Sequence, residues 1–257
     1  MNIHFFKYQA TGNDFVMIDG RHQSITPERK FFEKICDRRF GVGADGVIFI
    51  QDHNEVDFEL QYFNPDGSSS LCGNGTRCAV HFAKKLGLVK GNFTKFLAYD
   101  GLHEAELLNN GNIRLKMSDV RDIRVLSEGH FADTGSPHLV KVVKDLESTD
   151  VMKEGRILRY DTPVEGGVNV NFVEKEGENH IKVRTYERGV ENETLSCGTG
   201  VTACALITGG NKGPVKISTK GGELEVDFIK SPENIFSNIY LTGPAELVFE
   251  GTYDISN

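Results

Sequence analysis

The chain has 257 residues, 39% of them hydrophobic and 26% charged, and a formal net charge of −8. That length leaves room for one large domain or two medium ones, each with a real core. The negative balance argues against nucleic acid or an anionic membrane surface as the main partner. It does not exclude a small anionic ligand, because local donors override the global sign. The first residues, Met1-Asn2-Ile3-His4-Phe5-Phe6-Lys7, lack the pattern of a secretory signal, and no apolar run is long enough to span a membrane, so a cytoplasmic location is expected. The five cysteines are Cys36, Cys72, Cys78, Cys197 and Cys204. An odd number cannot all pair, and in a reducing compartment they default to thiols. No Cys-x-x-Cys with a matching Cys or His pair occurs, so no metal site is expected.

In chain order, residues 5–8 and 15–19 read as short strands joined by the polar turn Ala10-Thr11-Gly12-Asn13-Asp14. Residues 27–38 read as a helix, with Pro27 suited to its first turn and Phe31, Phe32 and Ile35 at helical spacing. The glycine-rich loop Gly41-Val42-Gly43-Ala44-Asp45-Gly46 leads into a strand over 47–50, and residues 56–63 alternate as a half-buried strand does. A small-residue apolar stretch, 76–86, predicts a helix. Residues 93–117 predict strands with turns at Asp100-Gly101 and Asn109-Asn110-Gly111.

The order then repeats. Asp133-Thr134-Gly135-Ser136-Pro137-His138 precedes a strand over 139–143, as Thr11-Gly12-Asn13-Asp14 precedes the second strand. Strands over 168–173 and 181–186 follow, and Glu187-Arg188-Gly189 stands where Asn64-Pro65-Asp66-Gly67 stood. Cys197-Gly198-Thr199-Gly200 heads a helix over 201–207, as Cys72-Gly73-Asn74-Gly75 heads the earlier one. The expectation is an α+β fold of two pseudo-symmetric domains, each a strand-rich barrel-like sheet around a central helix. The boundary falls near Met117, giving domains 1–117 and 118–246. With no low-complexity linker between them, they are expected to pack closely around a cleft.

A cysteine at a helix N-terminus meets unpaired N–H groups and a partial positive charge, which lower its thiol pKa. The amides of Gly73, Asn74, Gly198 and Thr199 would there offer a nest for a carboxylate. Two such ends around one carboxylate place its α-carbon between the sulfurs, roughly 6–7 Å apart on a near-attack argument. One thiolate removes the α-proton while the opposite thiol delivers one to the other face, and the amides hold the developing charge. The scheme calls for no cofactor. Cys36, Cys78 and Cys204 sit inside apolar patterns and read as buried core thiols.

These residues resemble those of the diaminopimelate epimerases. The matching segments are Ala10-Thr11-Gly12-Asn13-Asp14-Phe15, the 41–46 loop, Phe63-Asn64-Pro65-Asp66-Gly67-Ser68, Cys72-Gly73-Asn74-Gly75-Thr76-Arg77-Cys78, residues 167–173, Tyr186-Glu187-Arg188-Gly189 and Cys197-Gly198-Thr199-Gly200. The resemblance implies a homodimer that acts on a small molecule, diaminopimelate, in lysine and peptidoglycan-precursor synthesis. It also implies a terminal strand over 247–251 that returns residues 247–257 to the first domain. By position, Cys72 and Cys197 are the acid–base pair, and Gly73, Asn74, Gly198 and Thr199 hold the reacting carboxylate. Asn13, Asn64, Asn169 and Arg188 recognise the substrate's other polar groups. His138 and Glu187 lie near the thiols, tuning them or holding the reacting amine. One departure is Ser136, which stands where the family often has asparagine. Two rival readings are another cofactor-free racemase of the same fold, acting on proline, hydroxyproline or a different amino acid, and a non-catalytic binding module with redox-sensitive thiols.

Overall fold

The structure is a computed structural model that describes residues 2–22, 28–70 and 72–255. In chain order its elements are β1 (Asn2–Ala10), β2 (Asn13–Asp19), α1 (Arg29–Cys36), β3 (Gly46–Gln51), β4 (Phe58–Phe63), α2 (Gly73–Lys85), β5 (Phe93–Ala98), β6 (Gly101–Leu107) and β7 (Ile113–Lys116). Then come β8 (Ile123–Leu126), β9 (Gly129–Asp133), β10 (Pro137–Val142), α3 (Val151–Tyr160), β11 (Asn169–Lys175), β12 (His180–Glu187), β13 (Asn192–Thr194) and α4 (Gly198–Thr208). The chain ends with β14 (Val215–Thr219), β15 (Gly222–Lys230), β16 (Phe236–Gly243) and β17 (Glu246–Asp254). It divides into two units, Met1–Leu115 with Pro244–Asn257, and Lys116–Gly243. Among the described residues no helix is long and apolar enough to cross a membrane.

In the first unit β1 turns back as β2 through Thr11 and Gly12, both at positive φ (48° and 84°). That conformation matches the twist of a two-residue hairpin, and Gly12 adopts it without strain. β2 runs parallel to β3, β3 antiparallel to β4, β4 parallel to β5, and β5, β6 and β7 follow antiparallel. β17 closes the other side, antiparallel to β1. Side chains alternate along these strands. Phe5, Val16, Ile18, Val47 and Phe49 face α1, whose Phe32 and Ile35 complete that core. On the opposite face Phe6 and Tyr8 stack against Phe82 of α2, which touches β1, β2, β3, β4 and β6. The sheet therefore wraps around α2.

The second unit repeats this path. β9 turns into β10, β10 is parallel to β11, β11 antiparallel to β12, β12 parallel to β14, and β14, β15 and β16 follow antiparallel. α3 occupies the connection that α1 has in the first unit, and α4 the connection of α2. Val201, Ala203, Cys204, Ala205 and Leu206 of α4 pack with Val140, Val173, Val183 and Ile217, while α3 packs Val151 and Leu158 with Val170, Phe172 and Tyr186.

The expected α+β duplication, with one helix inside each sheet, is what forms. Several boundaries differ. The helix expected over 27–38 is Arg29–Cys36, and Pro27 lies outside the described residues. The strand expected from residue 56 begins at Phe58. Both cysteine-headed helices start three residues earlier than apolar spacing indicates, at Gly73 and Gly198. α3, β8, β9, β13 and β14 have no counterpart among the expected elements.

Candidate active site

Each half presents a cysteine as the N-cap of its central helix. Cys72 has φ −128° and ψ 115°, and Cys197 has φ −122° and ψ 112°. Both are extended residues that hand the chain into a helix. The first ladder bonds run from Thr76 N to Cys72 O (2.8 Å) and from Val201 N to Cys197 O (2.9 Å). The amides of residues 73–74 and 198–199 precede those bonds, at the end where the helix carries positive potential. The next glycines serve packing. A Cβ on Gly75 would lie 3.0 Å from Ile48 Cδ1, and one on Gly200 would lie 2.4 Å from Asn171 Oδ1.

At the first cysteine the neighbours are amides. Asn13 Oδ1 accepts from Cys72 Sγ at 3.4 Å and from Asn74 Nδ2 at 3.3 Å. Asn13 Nδ2 donates to Asp45 Oδ2 at 2.5 Å. Asn74 is buried, and its Oδ1 takes a hydrogen bond from Arg77 Nη2 at 3.0 Å. Arg77 is fully buried on α2 and also reaches Thr11 Oγ1 and Pro244 O, while its Nη1 has no partner among the described residues. Burial pulls its pKa down to about 10, so it is a cation at neutral pH. With no carboxylate partner among the described residues, this buried cation raises the positive potential behind the helix end. Asn64 is engaged in its own turn, accepting from Tyr62 Oη and donating to Ser68 and Ser70.

At the second cysteine the neighbours are hydroxyls and an imidazole. Cys197 Sγ lies 3.6 Å from Thr199 Oγ1, which lies 2.9 Å from His138 Nε2. Ser136 Oγ joins this group at 2.9 Å from His138 Nε2 and 3.1 Å from Thr199 Oγ1. His138 thus reaches Cys197 through Thr199. The ring is fully buried, and burial first, then the charge of Arg188, push its pKa down to about 3. It is neutral in the folded protein. Asn169, also buried, accepts from Arg188 N at 2.9 Å and donates to Pro137 O at 3.1 Å, so it pins the 187–189 turn to the start of β10. Glu187 and Arg188 are half-buried, and Arg188 Nη1 donates to Gly167 O at 3.4 Å.

The first unit therefore gathers Asn13, Cys72, Gly73 and Asn74, and the second gathers Ser136, His138, Asn169, Arg188, Cys197, Gly198 and Thr199. The remaining thiols sit in the cores. Burial pushes Cys36 up to about 12, and it raises Cys78 and Cys204 well above the ordinary thiol range. Sequence reasoning did not single out Asp45, Arg77 or Asn171. Arg77 carried a usable signal, as a charged residue directly ahead of the apolar run Cys78-Ala79-Val80. Asp45 was visible only as one letter of a glycine-rich loop.

Each half of the duplicated fold thus seats a cysteine at the N-terminus of an enclosed helix. Residues 5–123 and again 130–248 match the family described as Diaminopimelate epimerase. The chain is similar to the diaminopimelate epimerase of Flavobacterium psychrophilum, 48% identical over 96% of this chain and 98% of the relative. It is also similar to that of Aquifex aeolicus, 42% identical over 96% of both. The chain belongs to the diaminopimelate epimerase family. Solved structures share the fold at low identity. A PhzF-family phenazine biosynthesis protein from Bacillus anthracis aligns with a TM-score of 0.80 at 17% identity, covering 99% of this chain and all of its own. A hydroxyproline epimerase from Agrobacterium vitis aligns at 0.69 and 13%, covering all of this chain and 93% of its own.

Proposed function

We propose that the protein interconverts LL-2,6-diaminopimelate and meso-diaminopimelate by proton transfer at one α-carbon, with Cys72 and Cys197 as the two acid–base groups. The observation that carries this reading is the matched pair of N-cap cysteines, each heading a Cys-Gly-x-Gly helix start in a chain similar to diaminopimelate epimerases over nearly its whole length. In the forward direction one thiolate takes the α-proton and the opposite thiol gives its proton to the other face of the carbon. In reverse the roles exchange. The electron pair left on carbon is delocalised into the carboxylate, and the helix-end amides of Gly73, Asn74, Gly198 and Thr199 hold that charge. Such stabilisation replaces an organic electron sink, so the scheme runs without pyridoxal phosphate. Arg188 is assigned to the distal carboxylate, for which a guanidinium offers two parallel bonds. Asn13, Asn64 and Asn169 are assigned to the remaining polar groups, and Glu187 to the reacting amine. The domains are assigned as 1–117 with 247–257 and 118–246, and the protein as a cytoplasmic homodimer.

The test is solvent exchange. Reduced protein incubated with LL-diaminopimelate in D2O is expected to place deuterium on the α-carbon and produce the meso isomer, and Cys72→Ala and Cys197→Ala are each expected to abolish inversion. No deuterium uptake by the reduced wild-type protein would remove the epimerase reading. Uptake from proline in place of diaminopimelate would move it to the ring-substrate racemases.

A further inference from the structure

The hydrogen bonds at the head of α2 run in one direction only, because a charged group fixes each end. The Asp45 carboxylate only accepts, so Asn13 must turn its Nδ2 toward it. The Arg77 guanidinium only donates, so Asn74 must turn its Oδ1 toward that. The two inner ends then meet as donor and acceptor, Asn74 Nδ2 to Asn13 Oδ1. The same Asn13 oxygen is the atom facing the Cys72 sulfur. Asp45 is itself held in place. Arg38 Nη2 lies 2.8 Å from its Oδ1, and Asp14 N donates to its Oδ2 at 3.2 Å. Lys7 of β1 is buried against the same loop, bonded to Gly43 O and paired with Asp14 Oδ2 at 2.6 Å.

From this arrangement we propose that Asp45 is a positioning residue for Cys72, setting through Asn13 which end of an amide the sulfur faces. The proposal rests on Cys72 being one of the reacting thiols. An amide oxygen at that place bonds the S–H form and offers nothing to the thiolate, whereas a turned amide would donate to the thiolate and favour it. In the second half Cys197 faces the Thr199 hydroxyl, which both donates and accepts and so imposes no single direction. The two thiols of a duplicated fold are thereby made unequal by a side chain that touches neither of them. Arg77 and Cys78, the other ionisable groups of α2 close to Cys72, are left in place by any change at Asp45.

Asp45→Asn is the sharp variant. Arg38 would hold the new carbonyl oxygen, which leaves the new amide hydrogens facing Asn13, so its amide turns over and gives up the bond from Asn74 Nδ2. The experiment follows the rate of iodoacetamide alkylation at Cys72 and Cys197, resolved by peptide mass spectrometry at one pH in the native protein. Four proteins are compared: wild type, Asp45→Asn, Asn13→Ala and the double variant. Asp45→Asn is expected to speed Cys72 roughly fivefold through a larger thiolate fraction, with Cys197 unchanged. If Asp45 acts through Asn13, the double variant matches Asn13→Ala to within about twofold. A Cys72 rate unchanged in Asp45→Asn overturns the proposal, as does a double variant equal to the product of the singles. Arg38→Gln is the structural control, loosening the same loop while leaving the Asp45 carboxylate on Asn13. A rise in Cys72 reactivity equal to that of Asp45→Asn would make Asp45 a loop bolt and nothing more. Should Asp45→Asn fail to fold by thermal melting, Asp45→Ser takes its place; too short to reach Asn13, it releases that amide without turning it, so a smaller rise at Cys72 is expected and an unchanged rate again overturns the proposal. Alkylation needs no substrate, so a protein without diaminopimelate turnover would still give a readable answer.

Discussion

Asn171 donates to His138 Nδ1 at 3.1 Å and to Leu139 O at 3.1 Å, while its oxygen accepts from Thr185 Oγ1 at 2.9 Å. Nδ1 is therefore an acceptor, the ring proton sits on Nε2, and that proton points at the Ser136 and Thr199 hydroxyls. A second proton on this ring would have to displace the Asn171 bond in a site closed to water. The consequence is a pH-dependent stability whose sign follows from linkage. Unfolded, the ring titrates at the ordinary value near 6.5, and folded, it titrates near 3. Between those values the unfolded chain binds a proton that the native chain does not, so stability is lost as pH falls through that window. Urea unfolding midpoints measured from pH 7 to pH 4 are expected to fall more steeply for wild type than for His138→Gln. Equal slopes would mean that the folded ring accepts the proton. The family resemblance implies that His138 lies close to the thiols. It could not show that the ring is neutral, because that depends on Asn171, which lies 33 positions further along the chain.

The helices show what a repeated motif does and does not fix. Cys-Gly-x-Gly was legible as a helix start in both halves, and the two N-caps agree to within a few degrees. The repeat also made the strand order legible, since the second half follows the path of the first. α3 was not legible, because Gly155 interrupts its middle where glycine disfavours helix. The glycine is there because the helix backbone presses on Tyr186, whose Cβ would lie 2.5 Å from an added methyl. A similar close approach separates the two motif glycines. An alanine at Gly75 would meet the end of Ile48 at 3.0 Å, a contact that a few tenths of an ångström relieves. An alanine at Gly200 would meet Asn171 Oδ1 at 2.4 Å, and that side chain is buried with both ends hydrogen-bonded. Gly200→Ala is therefore expected to cost about 1–3 kcal/mol, and Gly75→Ala less. Denaturant midpoints of the two variants decide it, and a larger loss for Gly75→Ala would contradict this account of the α4 seat.

At the scale of the whole chain, the first unit is completed by the last strand. β17 runs antiparallel to β1 from Asn2 opposite Asp254 to Gln9 opposite Glu246. Its Tyr253 packs on the core that holds Ile3, Phe5, Phe32 and Ile35, and its Phe249 ring meets Phe5 edge to face at 5.9 Å. Pro244, just before it, supplies the carbonyl that accepts from Arg77 Nε at 3.3 Å. Cutting the chain after Gly243 would open the outer edge of β1, uncover Phe5, and take an acceptor from a fully buried guanidinium that already has one nitrogen without a partner among the described residues. None of these contacts belongs to the second unit. The chain carries its own reporters for the two halves, since Cys36 and Cys78 are buried in the first unit and Cys204 in the second. In the shortened chain, Cys36 and Cys78 are expected to react with a thiol reagent in native buffer while Cys204 stays protected. Protection of Cys78 equal to that of Cys204 would mean that the first unit holds its core without β17. A loss of protection at all three would mean that the second unit draws its stability from the first.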